Sequence, residues 1–173
     1  DGLIVSRLLF GLANPSGKLP VSYPRTEADL PATEALQWPG VMEEGGLRRV
    51  EYAEGLEIGY RWFDAQNIEP LFSFGFGLSY TTFSLSDIRV TPGEADTSTP
   101  LKIRLRVTNT GETRGAEVPQ VYLSFPSAAG EPPKRLVGFE KVWLDPGESR
   151  EVEITIDPAA ANHPFGVFNA ELQ

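Results

Sequence analysis

The sequence predicts a two-part chain, an irregular α/β portion followed by an all-β sandwich, and three observations carry that division. After Phe83, short runs alternate apolar and polar residues at regular spacing. At the front, Gly2 to Leu12 places apolar residues near helical spacing instead. Between the halves lies Ile68-Glu-Pro-Leu-Phe-Ser-Phe-Gly-Phe-Gly-Leu-Ser-Tyr-Thr-Thr-Phe83, a joint rich in glycine and aromatic residues.

In the first half, Leu3, Ile4, Leu8 and Phe10 or Leu12 define the apolar side of a helix. Gly11 and Asn14-Pro15 stop it, as a glycine past the last turn and a following proline do. Such a helix needs a surface to pack on, and little precedes it in the sequence. Pro15-Ser-Gly-Lys18 reads as a turn. Leu19-Pro-Val-Ser-Tyr-Pro24 is extended, because each proline pushes the residue before it toward β or polyproline geometry. Residues 25–50 are polar, Gly-rich and weakly patterned, and read as a long loop of the kind that is functional or covered by a neighbour. In Tyr52 to Asp64, Leu56, Ile58, Tyr60 and Trp62 alternate with Glu57, Gly59, Arg61 and Phe63. A strand is favoured through the first part, with helix the alternative after Gly59.

In the second half, Leu101-Lys-Ile-Arg-Leu-Arg-Val-Thr108 alternates without a break, the pattern of an antiparallel strand with one face buried. Asn109-Thr-Gly111 ends it. Val118–Phe125 is a second strand, with Pro119 confined to its start or to an edge. Arg135–Leu144 is a third and Arg150–Ile156 a fourth, separated by the Asp145-Pro-Gly147 turn. With Phe83–Val90 and Phe165–Leu172 there are six strands at sandwich spacing. An immunoglobulin-like or fibronectin-like sandwich needs about seven. Gln173 falls inside the sixth, where a missing partner would leave an aggregation-prone edge. Both ends of the sequence therefore read as cut.

The composition narrows the function classes. The net charge of −9 is spread over both halves, with no basic patch to meet nucleic acid. The lack of cysteine excludes disulfides and thiolate metal sites. His163 is the single histidine, which argues against a His-based metal site or a Ser-His-Asp triad, and no metal or cofactor is expected. Apolar runs fall far short of the ~20 residues a membrane helix requires. No membrane partner is implied.

Four ordered segments carry a resemblance: Asn14-Pro-Ser-Gly-Lys-Leu-Pro20, Glu54-Gly-Leu-Glu-Ile-Gly-Tyr-Arg-Trp-Phe-Asp64, Pro70 to Phe83 (Pro-Leu-Phe-Ser-Phe-Gly-Phe-Gly-Leu-Ser-Tyr-Thr-Thr-Phe), and Lys134-Arg-Leu-Val-Gly-Phe-Glu-Lys141. Together they resemble the C-terminal part of glycoside hydrolase family 3, whose members include β-glucosidases and β-xylosidases. The resemblance implies that residues 1–70 end an α/β sandwich domain, that 71–82 connect domains, and that 83–173 form an incomplete fibronectin type III-like domain. It also implies a β-glucosidase-type hydrolase acting in carbohydrate metabolism such as cellulose degradation, periplasmic or secreted. Its partners would be the catalytic barrel and the rest of the α/β domain, and its substrate a β-glucoside or oligosaccharide. In that family a carboxylate pair performs retaining hydrolysis. The nucleophilic Asp lies in the barrel and a Glu acid/base lies upstream of the Asn-Pro-Ser-Gly-Lys-Leu-Pro segment. Neither has a matching position here, so no catalytic residue is assigned to this chain.

Residue by residue, structural roles dominate. Glu54 and Glu57 are three apart, so on a strand they would face opposite ways and could not work as a pair. Arg61 could clamp a sugar or carboxylate, but such an arginine more often ties loops together. Trp38, Trp62, Tyr52 and Tyr60 could stack on sugar rings, with packing the default for each. Trp38, in the long loop, is the best candidate for a substrate-facing role. Glu43-Glu44 reads as a solvated loop. Gly75 and Gly77 lack the third glycine and the βαβ context of a dinucleotide fold, and instead let the backbone pass closely between domains. The rival reading is a free-standing module binding carbohydrate or protein through its sandwich.

Overall fold

A computed structural model describes residues 2–94, 96 and 98–168. They group into two compact units, one of the described residues within 2–18, 77–123 and 136–168, the other of residues 19–76 and 124–135.

The first unit is built on a three-stranded antiparallel sheet in the order β3 (Phe83–Thr91), β4 (Leu101–Asn109), β9 (Ser149–Ile156). The alternation in the sequence sets its faces. Ile103, Leu105 and Val107 of β4 and Val152, Ile154 and Ile156 of β9 are buried, while Lys102, Arg104, Arg106, Glu151 and Glu153 are exposed. The register pairs Ile103 with Ile154 and Leu105 with Val152, so cross-strand aliphatic contacts form the core face. Val142 and Leu144 pack into the same cluster. On the wet face Arg104 Nε donates to Glu153 Oε2 at 2.6 Å, and Lys102 lies 3.1 Å from the same carboxylate. The β3–β4 register shifts between Ser86 and Arg89, and within that bulge Asp87 takes a positive φ of 53°.

The remaining strands are short. β5 (Gly115–Glu117) pairs with β8 (Val142–Leu144), and β6 (Gln120–Leu123) pairs with β7 (Arg135–Phe139). The expected strand 118–125 is thus shortened to its middle, and 135–144 is interrupted at residues 140–141. Pro119, which has no N–H for a ladder, sits at one break, and its carbonyl accepts the Glu140 N–H at 3.3 Å opposite. Helix α1 (Gly2–Leu9) forms as expected, and Gly11 follows it at φ +70°. Leu3, Ile4, Leu9, Phe10 and Leu12 are all exposed. Of the expected strand Phe165–Leu172, residues 165–168 are turn and coil, and the rest lies outside the described residues.

The second unit departs further from expectation. Leu19–Pro24 is extended as predicted and lies along Leu71–Phe76: Leu19 N–H donates to Phe76 O and Tyr23 N–H to Phe72 O, each at 2.8 Å. The segment read as a featureless loop contains a hairpin of β1 (Val41–Met42) and β2 (Arg48–Arg49), with Val41 opposite Arg49. Tyr52–Gly59 is not a strand. Gly55 and Gly59 both adopt positive φ, 58° and 57°, which breaks any extended run, and helix α2 (Tyr60–Ala65) follows.

Candidate functional site

The four sequence segments that carry the resemblance converge on two clusters, one within each unit. In the first unit, Asn14 is the hub. Its Oδ1 accepts the Tyr80 N–H at 2.8 Å and the Ser79 hydroxyl at 3.1 Å, and its Nδ2 donates to Arg114 O at 3.0 Å. The helix stop thus doubles as a bracket reaching residues 65 to 100 positions away. Pro15-Ser-Gly-Lys18 is open backbone rather than a turn. Its side chains engage the sandwich: Lys18 Nζ lies 2.7 Å from Glu117 Oε1, and Lys141 Nζ donates to Ser16 Oγ at 2.9 Å and to its carbonyl at 3.1 Å. Gly77 makes a close approach within this unit, since a Cβ there would stand 2.3 Å from Gly17 O. Tyr80 closes the bracket by donating its hydroxyl to Leu8 O at 2.7 Å.

Beneath this bracket sits Asn109, completely buried. Its Oδ1 accepts the Thr81 hydroxyl at 2.6 Å and the Gly111 N–H at 3.1 Å. Its Nδ2 donates to Thr113 O at 2.9 Å and Leu144 O at 3.1 Å. A buried amide with all four side-chain bonds made fixes the geometry around it, because any displacement leaves an orphaned partner. The sequence marked Asn109 only as the end of a strand.

In the second unit, Trp62 and Tyr60 are packing residues: the Trp62 indole N–H donates to Asp29 O at 2.9 Å, and the Tyr60 ring lies 5.0 Å from that of Phe74. Asp64 pairs with Lys134 at 3.1 Å, joining two of the quoted segments. Arg25 binds Glu69 at 3.2 Å. A cleft of about 320 Å³ is lined by Phe63, Asp64, Asn67, Ile68 and Glu69, and both its carboxylates are held in these ion pairs. Glu54 and Glu57 lie in one turn, where Glu57 N–H donates to Glu54 O, and the Glu57 carboxylate accepts from Gln66 at 2.9 Å. Their three-residue spacing therefore does not set them on opposite faces of a strand, although Glu57 is engaged locally. Arg61 is half-buried on α2. Glu43 is not merely solvated, since it lies 3.6 Å from Arg49. Trp38 and Tyr52 stand out by exposure, 68% and 89%.

His163 sits in the first unit, exposed in a turn region at φ 43°. Among the described residues no group of three or more metal-ligating side chains occurs, and no helix is long and apolar enough to cross a membrane.

The fold and the paired clusters define a chain that ends one domain and continues into a fibronectin-like sandwich. Residues 1–80 match the glycosyl hydrolase family 3 C-terminal domain and residues 117–164 the fibronectin type III-like domain. The thermostable β-glucosidase B of Acetivibrio thermocellus is 40% identical across 99% of this chain, and probable β-glucosidase G of Aspergillus flavus is 44% identical across 88%. The chain spans about a fifth of the length of these relatives, 22% and 21%. The crystal structure of a family 3 β-glucosidase from Bifidobacterium adolescentis superposes on 99% of the chain with a TM-score of 0.84 at 32% identity, the chain covering 23% of it. β-Glucosidase 3B of Thermotoga neapolitana, solved with α-D-glucose, gives 0.78 at 40% identity over 90% of the chain and 21% of its own. The chain belongs to glycoside hydrolase family 3 and corresponds to its C-terminal region.

Proposed function

We propose that this chain serves a retaining β-glycosidase of β-glucosidase type, releasing terminal non-reducing β-D-glucosyl residues. The carboxylate pair that such a reaction needs, one forming the glycosyl–enzyme intermediate and one protonating the leaving oxygen, is supplied by polypeptide outside residues 1–173. Within this reading, residues 1–70 complete the α/β domain, 71–82 connect, and 83–173 form the fibronectin-like part. The chain's contribution is to brace the catalytic scaffold, and alone it has no activity. Substrate would be a β-glucoside or short oligosaccharide, and the enzyme periplasmic or secreted.

The observation that carries this is the apolar side of α1. Six large apolar side chains from Leu3 to Leu12 are exposed, Val5 among them, a concentration that a soluble surface does not tolerate without a covering partner. The remaining four-fifths of a protein as long as the relatives supplies that partner. The test compares the chain alone with the full-length protein on p-nitrophenyl β-D-glucoside, following the anomer released. The full-length protein should turn over with retention and the chain alone should not. Turnover by the chain alone, inversion, or a stable monomeric chain with glycan affinity and no effect on the rest of the protein would each overturn the proposal, the last in favour of a free-standing binding module.

A further inference from the structure

We propose that the Trp38 hairpin is a stacking platform for a β-linked gluco-oligosaccharide, an inference that rests on the glycosidase reading above. The backbone around Trp38 is fixed although its ring is exposed. Trp38 N–H donates to Glu34 O and Gly40 N–H to Ala35 O, each at 2.9 Å, and Arg48 Nη1 donates to Pro39 O at 3.0 Å. Gly40, at φ +84°, runs so close to β2 that a Cβ would stand 2.5 Å from Arg49 O and 2.7 Å from Val50 Cγ2. An aromatic ring held ready from rigid backbone loses little entropy on binding.

Polar groups of the right kind stand on the β1–β2 hairpin that follows it in the chain. Arg49 lies between Glu43 and Glu51, to which it is paired, and all three stay partly in solvent. Tyr52 follows directly, almost fully exposed. A β-linked glucopyranose presents flat axial C–H faces and an equatorial rim of hydroxyls. The faces suit an indole, and the rim suits a planar guanidinium and carboxylates. A protein partner fits less well, because interface cores are depleted in charge and this hairpin would bury three charged groups. The α2 aromatics Trp62 and Tyr60 are already engaged in packing, which leaves Trp38 and Tyr52 to meet a ligand.

The test uses the full-length protein with Trp38→Ala and Trp38→Phe, assayed on cellotetraose and on p-nitrophenyl β-D-glucoside, with Trp fluorescence titrated by cellotetraose. Trp38→Ala should lower kcat/KM on the tetrasaccharide about tenfold, mainly through KM, and leave the aryl glucoside within about twofold. It should also abolish the saturable fluorescence change, and Trp38→Phe should keep most of the affinity. Equal losses on both substrates, or no loss on either while the wild type hydrolyses the aryl glucoside, would overturn this inference alone. Wild-type protein that binds cellotetraose through Trp38 yet hydrolyses neither substrate would overturn the glycosidase reading and leave the platform standing.

Discussion

Replacing Asn109 with Asp changes one atom of a buried side chain and should destabilise the sandwich strongly. The Nδ2 that donates to Thr113 O at 2.9 Å and Leu144 O at 3.1 Å becomes an oxygen facing two carbonyls. Each orphaned buried acceptor costs about 1–3 kcal/mol, and the new carboxyl must either stay charged without a counterion or take up a proton. The sum is about 3–5 kcal/mol. The assay is hydrogen exchange in the full-length protein, read at the amides of Asn109, Thr110 and Gly147, which donate to Glu148 O, Thr82 O and Asn109 O. Exchange there should quicken by about two to four orders of magnitude at neutral pH. The defect should shrink on acidification, because a protonated carboxyl can donate to one of the two carbonyls. Thr81→Ala, which removes a single bond to Oδ1, should lose only about 1 kcal/mol and serves as the graded control. A loss for Asn109→Asp below about 1 kcal/mol, or one identical at pH 5 and about pH 8, would refute the view that the amide is the sandwich's fully satisfied pin.

Two further predictions concern the sheet face and the bracket. Arg104 and Lys102 hold the Glu153 carboxyl below its ordinary 4.5, and the Asp145 N–H with Arg150 does the same for Glu148. A carboxylate whose folded pKa is depressed stabilises fully above its unfolded pKa, and that stability is lost as pH falls through the folded value. Thermal midpoints should therefore hold down to about pH 5 and fall below pH 4.5, less steeply in Glu153→Gln; an unchanged slope in that variant would dismiss the pair. Gly77→Ala places a methyl 2.9 Å from Lys18 Cδ and closer still to Gly17 O, so the backbone must move, costing about 1–3 kcal/mol. Limited proteolysis should then cut at residues 15–18, and wild-type resistance there would remove the close-approach argument.

Legibility followed burial. β4 and β9 could be read directly because one face is buried and the other wet, so period two is written into Ile103, Leu105, Val107 and into Val152, Ile154, Ile156. β1 and β2 could not, since all four of their residues are exposed and impose no pattern. Tyr52–Gly59 misled because Leu56, Ile58, Tyr60 and Trp62 happen to alternate, whereas the two glycines at positive φ decide the backbone. The strand 135–144 broke at Glu140 because its partner breaks at Pro119. Asn14 left no local signal of its role, because a side-chain amide that bonds residue 114 writes nothing into its own neighbourhood beyond an Asn-Pro helix stop. The exposed Trp38 was legible because an unpatterned aromatic in a polar segment is conspicuous.

The bracket around Asn14 also fixes an order of events on the ribosome. Ser16 is bonded by Lys141, a residue 125 positions later in the chain. At about 5–20 residues per second, the Asn14 loop waits roughly 6 to 25 s after its own synthesis before the last of these partners exists. During that interval the apolar segment of α1 has no sandwich to anchor the loop behind it. Nascent chains are thus exposed to chaperones and to misassociation at this point, and translation speed between residues 18 and 141 sets for how long.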